Sequence, residues 1–113
     1  MKLVTAIIQI DKLDQVREAL SKIQINRITV SRAAGRGRQA EEELYRGSVV
    51  IPDLVPKMKI VIACLDDQVK KICETLVEAA RHGEGKIGDG KIFVTPLEEC
   101  IRIRTAESGE AAI

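Results

Sequence analysis

Residues 3–10 and 58–64 are apolar at odd and even positions alike, and this constrains the fold of the chain more than any other feature of its sequence. Successive side chains of a strand point to opposite faces, so a strand that is apolar at both parities needs cover on both sides. Each of these segments leads into a helical pattern. After the first, Leu13, Val16, Leu20 and Ile23 fall at helical spacing, and Asp11 stands where an N-cap is expected. After the second, Asp66 and Asp67 precede Val69, Ile72, Cys73, Leu76 and Ala80, an acidic pair suited to the positive end of a helix dipole. Each helix is followed by a further strand: Ile28 and Val30 alternating with Thr29 and Ser31, then residues 92–94 closed by Pro96. A last short strand is expected where Cys100, Arg102 and Arg104 alternate with Ile101 and Ile103, with a loosely ordered tail over 107–113.

The order strand, helix, strand, strand, helix, strand is one unit written twice. It predicts an α+β fold, the ferredoxin-like double βαβ sandwich, with an antiparallel sheet carrying both helices on one face. The other face is then bare, and a ring of copies meeting through it would supply the missing cover. A chain of 113 residues suits one domain, 1–113. Apolar residues make up 45 % of the chain, yet they form no run of about 18 that could span a bilayer, and Met1 leads into a strand rather than a signal peptide, so a cytoplasmic location is expected. A net charge of +1, one Tyr and one Phe argue against nucleic acid as a partner, for want of a basic surface and of aromatic platforms. Cys64, Cys73 and Cys100 are odd in number and dispersed, and His82 is the single histidine, which points away from a disulfide framework or a zinc site. His82 reads as a solvated loop residue.

Three features carry chemistry. In Gly85-Lys86-Ile87-Gly88-Asp89-Gly90-Lys91 the glycines free the backbone to turn its N–H groups inward as a nest for phosphate oxygens, and two lysines supply charge. The spacing is not that of a P-loop, and a plain hairpin connection is the other reading. Arg102 and Arg104, two apart, would share one side of a strand and could grip separate phosphate oxygens, or simply form a charged edge. Residues 39–56 form a long arm with Glu41, Glu42 and Glu43 at its start, Tyr45-Arg46-Gly47 at its centre and little evident core to join. Such loops are either functional or flexible excursions.

Taken in order along the chain, Lys12-Leu13-Asp14, Gly35-x-Gly37-Arg38-Gln39, Glu43-Leu44-Tyr45-Arg46-Gly47, Pro56-Lys57, residues 86–94, Ile101-Arg102-Ile103-Arg104-Thr105 and Ala111-Ala112-Ile113 resemble the PII signal-transduction family, and the resemblance covers nearly the whole chain. It implies a homotrimer with a T-loop arm at about 37–56, a phosphate-binding B-loop at about 82–91 and a C-terminal strand and tail at about 99–113. Its clefts between subunits would take ATP or ADP, with AMP not distinguished, and 2-oxoglutarate joined through magnesium. On this resemblance the nucleotide site comprises Ile7, Gly35, Gly37, Arg38, Gln39, Ala63, Gly88, Asp89, Gly90 and Lys91, with Thr29, Arg102 and Arg104 reaching in from a neighbour. Gln39 would hold the magnesium, and Gln39, Lys57 and Gly88 the 2-oxoglutarate, which suits a hard cation and a dicarboxylate beside a triphosphate. Tyr45, Arg46, Gly47 and Val50 would belong to the partner-binding arm. The implied role is regulatory rather than enzymatic: ligands select an arm conformation, and a target such as an ammonium transporter, a transcription factor or a metabolic enzyme responds.

The sequence departs from the family pattern at three places. Ala40 stands where Lys is common, and the arm is one residue shorter between Gln39 and Glu43. Val50 replaces the tyrosine that is uridylylated in many relatives, so no uridylylation is expected. Arg81-His82-Gly83-Glu84-Gly85 is about two residues longer than the usual approach to the B-loop, and Glu84 brings a carboxylate to it. A divergent PII-like sensor, pairing an adenine nucleotide with another small anion such as bicarbonate, is the alternative reading.

Overall fold

The computed structural model describes residues 1–37 and 54–113, so Arg38, Gln39, Tyr45, Arg46, Gly47 and Val50 lie outside the described residues. The described chain forms β1 (Lys2–Ile8), α1 (Leu13–Lys22), β2 (Thr29–Gly35), β3 (Val55–Cys64), α2 (Val69–Ala80) and β4 (Gly90–Pro96). The strands make one sheet in the order β2-β3-β1-β4, antiparallel throughout, with Val4 opposite Ile62 and Val94, and Val30 opposite Ile60. This is the expected α+β ferredoxin-like arrangement.

Only one parity of each central strand reaches the core. Val4, Ala6 and Ile8 of β1 and Met58, Ile60, Ile62 and Cys64 of β3 are buried against Val16 and Leu20 of α1 and Ile72, Leu76 and Ala80 of α2. Leu13, Ile23, Val69 and Cys73 complete the two helical stripes as half-buried residues. Burying each large aliphatic side chain here contributes about 1.5–3 kcal/mol. The opposite parity, Leu3, Thr5, Ile7, Lys57, Val61 and Ala63, remains half-buried, and no helix of the described residues lies over that face. The apolar residues at both parities thus have one covered side and one open side in a single chain.

Four local expectations differ from the structure. β1 stops at Ile8, and Ile10–Lys12 forms a 3₁₀ turn ahead of α1. Asp11 therefore does not cap the helix, and its carboxylate instead meets His82. Asp66 keeps its expected place at the head of the second helical segment, in the 3₁₀ turn Asp66–Gln68, where its carboxylate also lies 3.0 Å from the amino group of Met1, while Gln68 closes the turn by accepting the Leu65 N–H at 2.9 Å. The expected last strand is a single bridge, Ile101 to Ser108, around a turn in which the Ala106 N–H donates to the Arg102 carbonyl at 2.7 Å. Alternation of side chains favours a strand only where a neighbouring strand accepts its backbone bonds, and within one chain this segment satisfies them locally. Finally, the tail is tied down: Gly109–Ala112 is a 3₁₀ turn, and Arg27 donates to the Ile113 carbonyl at 2.8 Å.

Candidate functional site

The sheet register brings four strand ends together. Ile8 pairs with Gly90 and Gly35 with Val55, so the end of β1, the start of β4, the end of β2 and the start of β3 all meet at one edge of the open face. Between them lies a cleft of about 530 Å³, lined by Ile7, Gly35, Gly37, Lys57 and the run Gly88-Asp89-Gly90-Lys91. Eight residues proposed from sequence are thereby gathered in one chain. Lys86 and Ile87 of the expected nest line the cleft too, as do Arg36, Val55 and Phe93, which were not singled out from the sequence. The Gly-flanked position of Arg36 was the available signal.

The loop owes its shape to glycine at two points. Gly88 has φ +98° and Gly90 φ +117°, values that L side chains rarely adopt, and a Cβ on Gly90 would run into the backbone carbonyl of Ile7. That close approach seats the loop on β1. Lys57 reaches across from β3 and donates from Nζ to the Gly88 carbonyl at 2.7 Å. Burial holds the Lys57 pKa below the ordinary lysine value, with the nearby Asp89 carboxylate opposing the shift.

Asp89 lines the cleft, but its carboxylate is committed within the loop. Oδ2 accepts from the Lys86 N–H at 2.7 Å and the His82 N–H at 3.2 Å, while Oδ1 lies 2.6 Å from His82 Nδ1. Burial works against its ionised form, and the bonds from His82 and Lys86 outweigh it, so its pKa sits below the ordinary carboxylate value. The Asp89 amide is engaged as well, donating to the Lys86 carbonyl at 3.1 Å. Among the described residues the amides of Ile87 and Gly88 find no acceptor. Two such amides, with Arg36, Lys57, Lys86 and Lys91 around them, give the cleft donors and positive charge of the kind an anion requires. Glu84 is exposed and lines none of it. The expectation that His82 is merely solvated is wrong: its ring is held between Asp89 and Asp11.

The remaining proposed residues lie at the other end of the sheet. Thr29 pairs with Val61, six positions along β2 from Gly35, or about 20 Å at the rise of a strand. Ala63 pairs with Leu3, four positions along β1 from Ile7. The C-terminal segment is joined to this end through the Arg27 bond to Ile113 and the Leu97 N–H bond to the Met1 carbonyl at 3.1 Å. There the Arg102 guanidinium bonds Glu107 Oε1 at 3.2 Å and the Ala111 carbonyl at 3.3 Å, and Arg104 follows in the turn. Thr29, Ala63, Arg102 and Arg104 are thus absent from the cleft of their own chain.

A larger hollow of about 770 Å³ lies beside α1 and β2, but Asp14 and Glu18 outnumber Arg17 there and no residue proposed from the sequence lines it. Among the described residues no cluster of three His, Cys, Asp or Glu side chains is disposed to hold a metal ion. No helix among them is long and apolar enough to cross a membrane.

An open-faced double βαβ sheet with a glycine-built, cation-rimmed cleft at one edge defines a small α+β domain of the ferredoxin-like class. The family model described as nitrogen regulatory protein P-II matches residues 1–107, and the chain belongs to this family of regulatory signal transducers. It is 50 % identical to the nitrogen regulatory protein P-II of Azospirillum brasilense and 51 % identical to the nitrogen regulatory protein GlnK of Escherichia coli K12, each over 114 aligned residues that cover both chains completely. Among solved structures, it resembles the Arabidopsis thaliana PII bound to citrate, with a TM-score of 0.81 and 39 % identity over 99 % of this chain and 91 % of that one.

Proposed function

We propose that the chain transduces nitrogen and carbon status by binding ATP or ADP, and 2-oxoglutarate, in clefts between copies of itself, and that it regulates a target protein through the arm at 37–56. The observation that carries this reading is the separation of the site residues. Ile7, Gly35, Gly37, Lys57 and the loop 88–91 occupy one end of the sheet, while Thr29, Ala63, Arg102 and Arg104 occupy the other. One chain therefore holds two unmatched halves, and a second copy, applied through the open face, brings one half to the other. Ile103, 99 % exposed, and Ile101, 61 % exposed, lie beside the two arginines and suit such a contact. The closed ring that the family resemblance implies is a homotrimer.

Within the cleft the triphosphate would lie against the Ile87 and Gly88 amides, neutralised by Lys86 and Lys91 from one copy and by Arg102 and Arg104 from the other. Apart from Asp89, whose carboxylate is engaged by His82 and Lys86, the described lining supplies amides and cations rather than side-chain oxygen ligands. A magnesium ion would thus take its oxygens from the phosphates and from the Gln39 side chain. Its chemistry would be to join a dicarboxylate to the nucleotide, with the Lys57 ammonium, once released from Gly88, pairing the far carboxylate. Arm populations then shift by the difference in ligand affinity between arm conformations, and a target such as an ammonium transporter or metabolic enzyme reads that shift.

Titration calorimetry with Mg-ATP, with and without 2-oxoglutarate, tests the reading. 2-Oxoglutarate is expected to bind only with Mg-ATP present, and Lys57→Ala to weaken it at least about tenfold through loss of a charge-assisted bond. ATP binding without any response to 2-oxoglutarate would replace this effector with another small anion, bicarbonate being the first to try.

A further inference from the structure

His82 is the chain's only histidine, and both nitrogens of its ring are engaged. Nδ1 lies 2.6 Å from Asp89 Oδ1, in the phosphate loop, and Nε2 lies 3.0 Å from Asp11 Oδ2, in the turn after β1. Asp89 in turn receives the backbone N–H groups of His82 and Lys86. One imidazole thus joins the loop that carries the free amides to a turn that is 71 residues away in sequence. Only the imidazolium can donate from both nitrogens; a neutral ring has a single N–H and turns a lone pair toward one of the two carboxylates.

We propose that His82 is a positioning residue for anion binding: as the imidazolium it fastens the loop 82–89 to the Asp11 turn, holding the Ile87 and Gly88 amides toward the cleft, and loss of its proton slackens that fastening. The proposal rests on the phosphate reading of the cleft and deepens it.

Asp11 from the turn and Asp89 from its own loop face the ring; Lys12 acts on Asp11, and Lys57 of β3, which bonds Gly88, acts on Asp89. The carboxylates contact the ring directly, and their hydrogen bonds, that of Asp11 first and that of Asp89 next, hold the His82 pKa above the ordinary histidine value of 6.5. Because the folded value is the raised one, the fastening is complete below the ordinary value and is lost as pH rises through the folded value. Deprotonation also removes a positive charge beside the cradle. Geometry and charge act in the same direction, and both weaken anion binding toward alkaline pH.

The full-length protein tests this with two readouts. The single histidine gives one set of imidazole resonances, so its titration can be followed by NMR in the wild type and in Asp11→Asn; the substitution is expected to lower the midpoint. Calorimetry with ATP between about pH 6 and pH 9 then compares the wild type with His82→Gln, which keeps hydrogen-bonding capacity without a titratable charge. Taking the affinity ratio at each pH cancels the titration of ATP itself. The wild type is expected to bind about three- to fivefold more tightly near pH 6, in keeping with a largely exposed ion pair, and equally near pH 9. An affinity ratio that stays flat while both proteins bind ATP overturns the proposal and leaves the nucleotide reading standing, and so does a midpoint unmoved by Asp11→Asn. Failure of both proteins to bind ATP at every pH removes the nucleotide reading and the proposal with it.

Discussion

Gly85 and Gly90 have nearly the same backbone angle, φ +121° and +117°, yet only Gly90 is pressed against another strand. An alanine at Gly85 meets nothing within 4 Å, so its cost is conformational strain alone, about 1–3 kcal/mol. An alanine at Gly90 bears the same strain and also drives a methyl group into the Ile7 carbonyl on the central strand β1. Relief requires β4 to lift at its start, opposite Ile7 and Ile8, forfeiting ladder bonds there, on the order of two at about 1 kcal/mol each. The pair of variants therefore isolates the clash at about 2 kcal/mol. For a domain of this size that separates their melting temperatures by about 8 °C, Gly90→Ala being the lower. Thermal unfolding followed by circular dichroism at equal protomer concentrations measures it, since any assembly makes the midpoint depend on concentration. Melting of both variants within about 2 °C of one another would refute the close approach as the reason for glycine at this position.

Other perturbations read other parts of the structure. Ala106 has φ +60°, a left-handed conformation that costs a non-glycine residue about 1 kcal/mol, so Ala106→Gly should raise the denaturant midpoint of the pure protein; a lowered midpoint counts against that turn. Val61 sits mid-strand on the open face of β3, and Val61→Asp would bury an unpaired carboxylate between copies. Light scattering should then report a smaller assembly than the wild type, and an unchanged mass would place the contact between copies elsewhere.

What the sequence made legible follows from how local each signal is. Val16 and Leu20, and Ile72 and Leu76, were readable as buried helix faces because helical spacing is a property of one segment. The doubled βαβ order was readable for the same reason. Asp11 was misjudged because an acidic residue before a helix looks the same whether it caps the helix or serves a distant group. His82, 71 residues away in sequence, claims it. Residues 100–104 alternate as a strand should, yet a strand needs a neighbour, and within one chain the segment turns back through Arg102 and Ala106. In the cleft, the glycine-built turn of 85–91 and its lysines were legible from the sequence. The inward turn of Asp89, which uses its carboxylate to brace the loop, was not, since side-chain direction in a loop depends on contacts such as that with His82.

The division of site residues between the two ends of the sheet carries a consequence for genetics. In the assembly proposed above, a subunit damaged at Arg104 spoils the site on one side of it, and a subunit damaged at Lys91 spoils the site on the other. Two defective alleles of these two kinds, expressed together, would reconstitute an intact site wherever their sound halves adjoin, while either allele alone would yield none. Complementation between mutant copies would then be a property of the fold itself, written into the separation of Gly35 from Thr29 along a single strand.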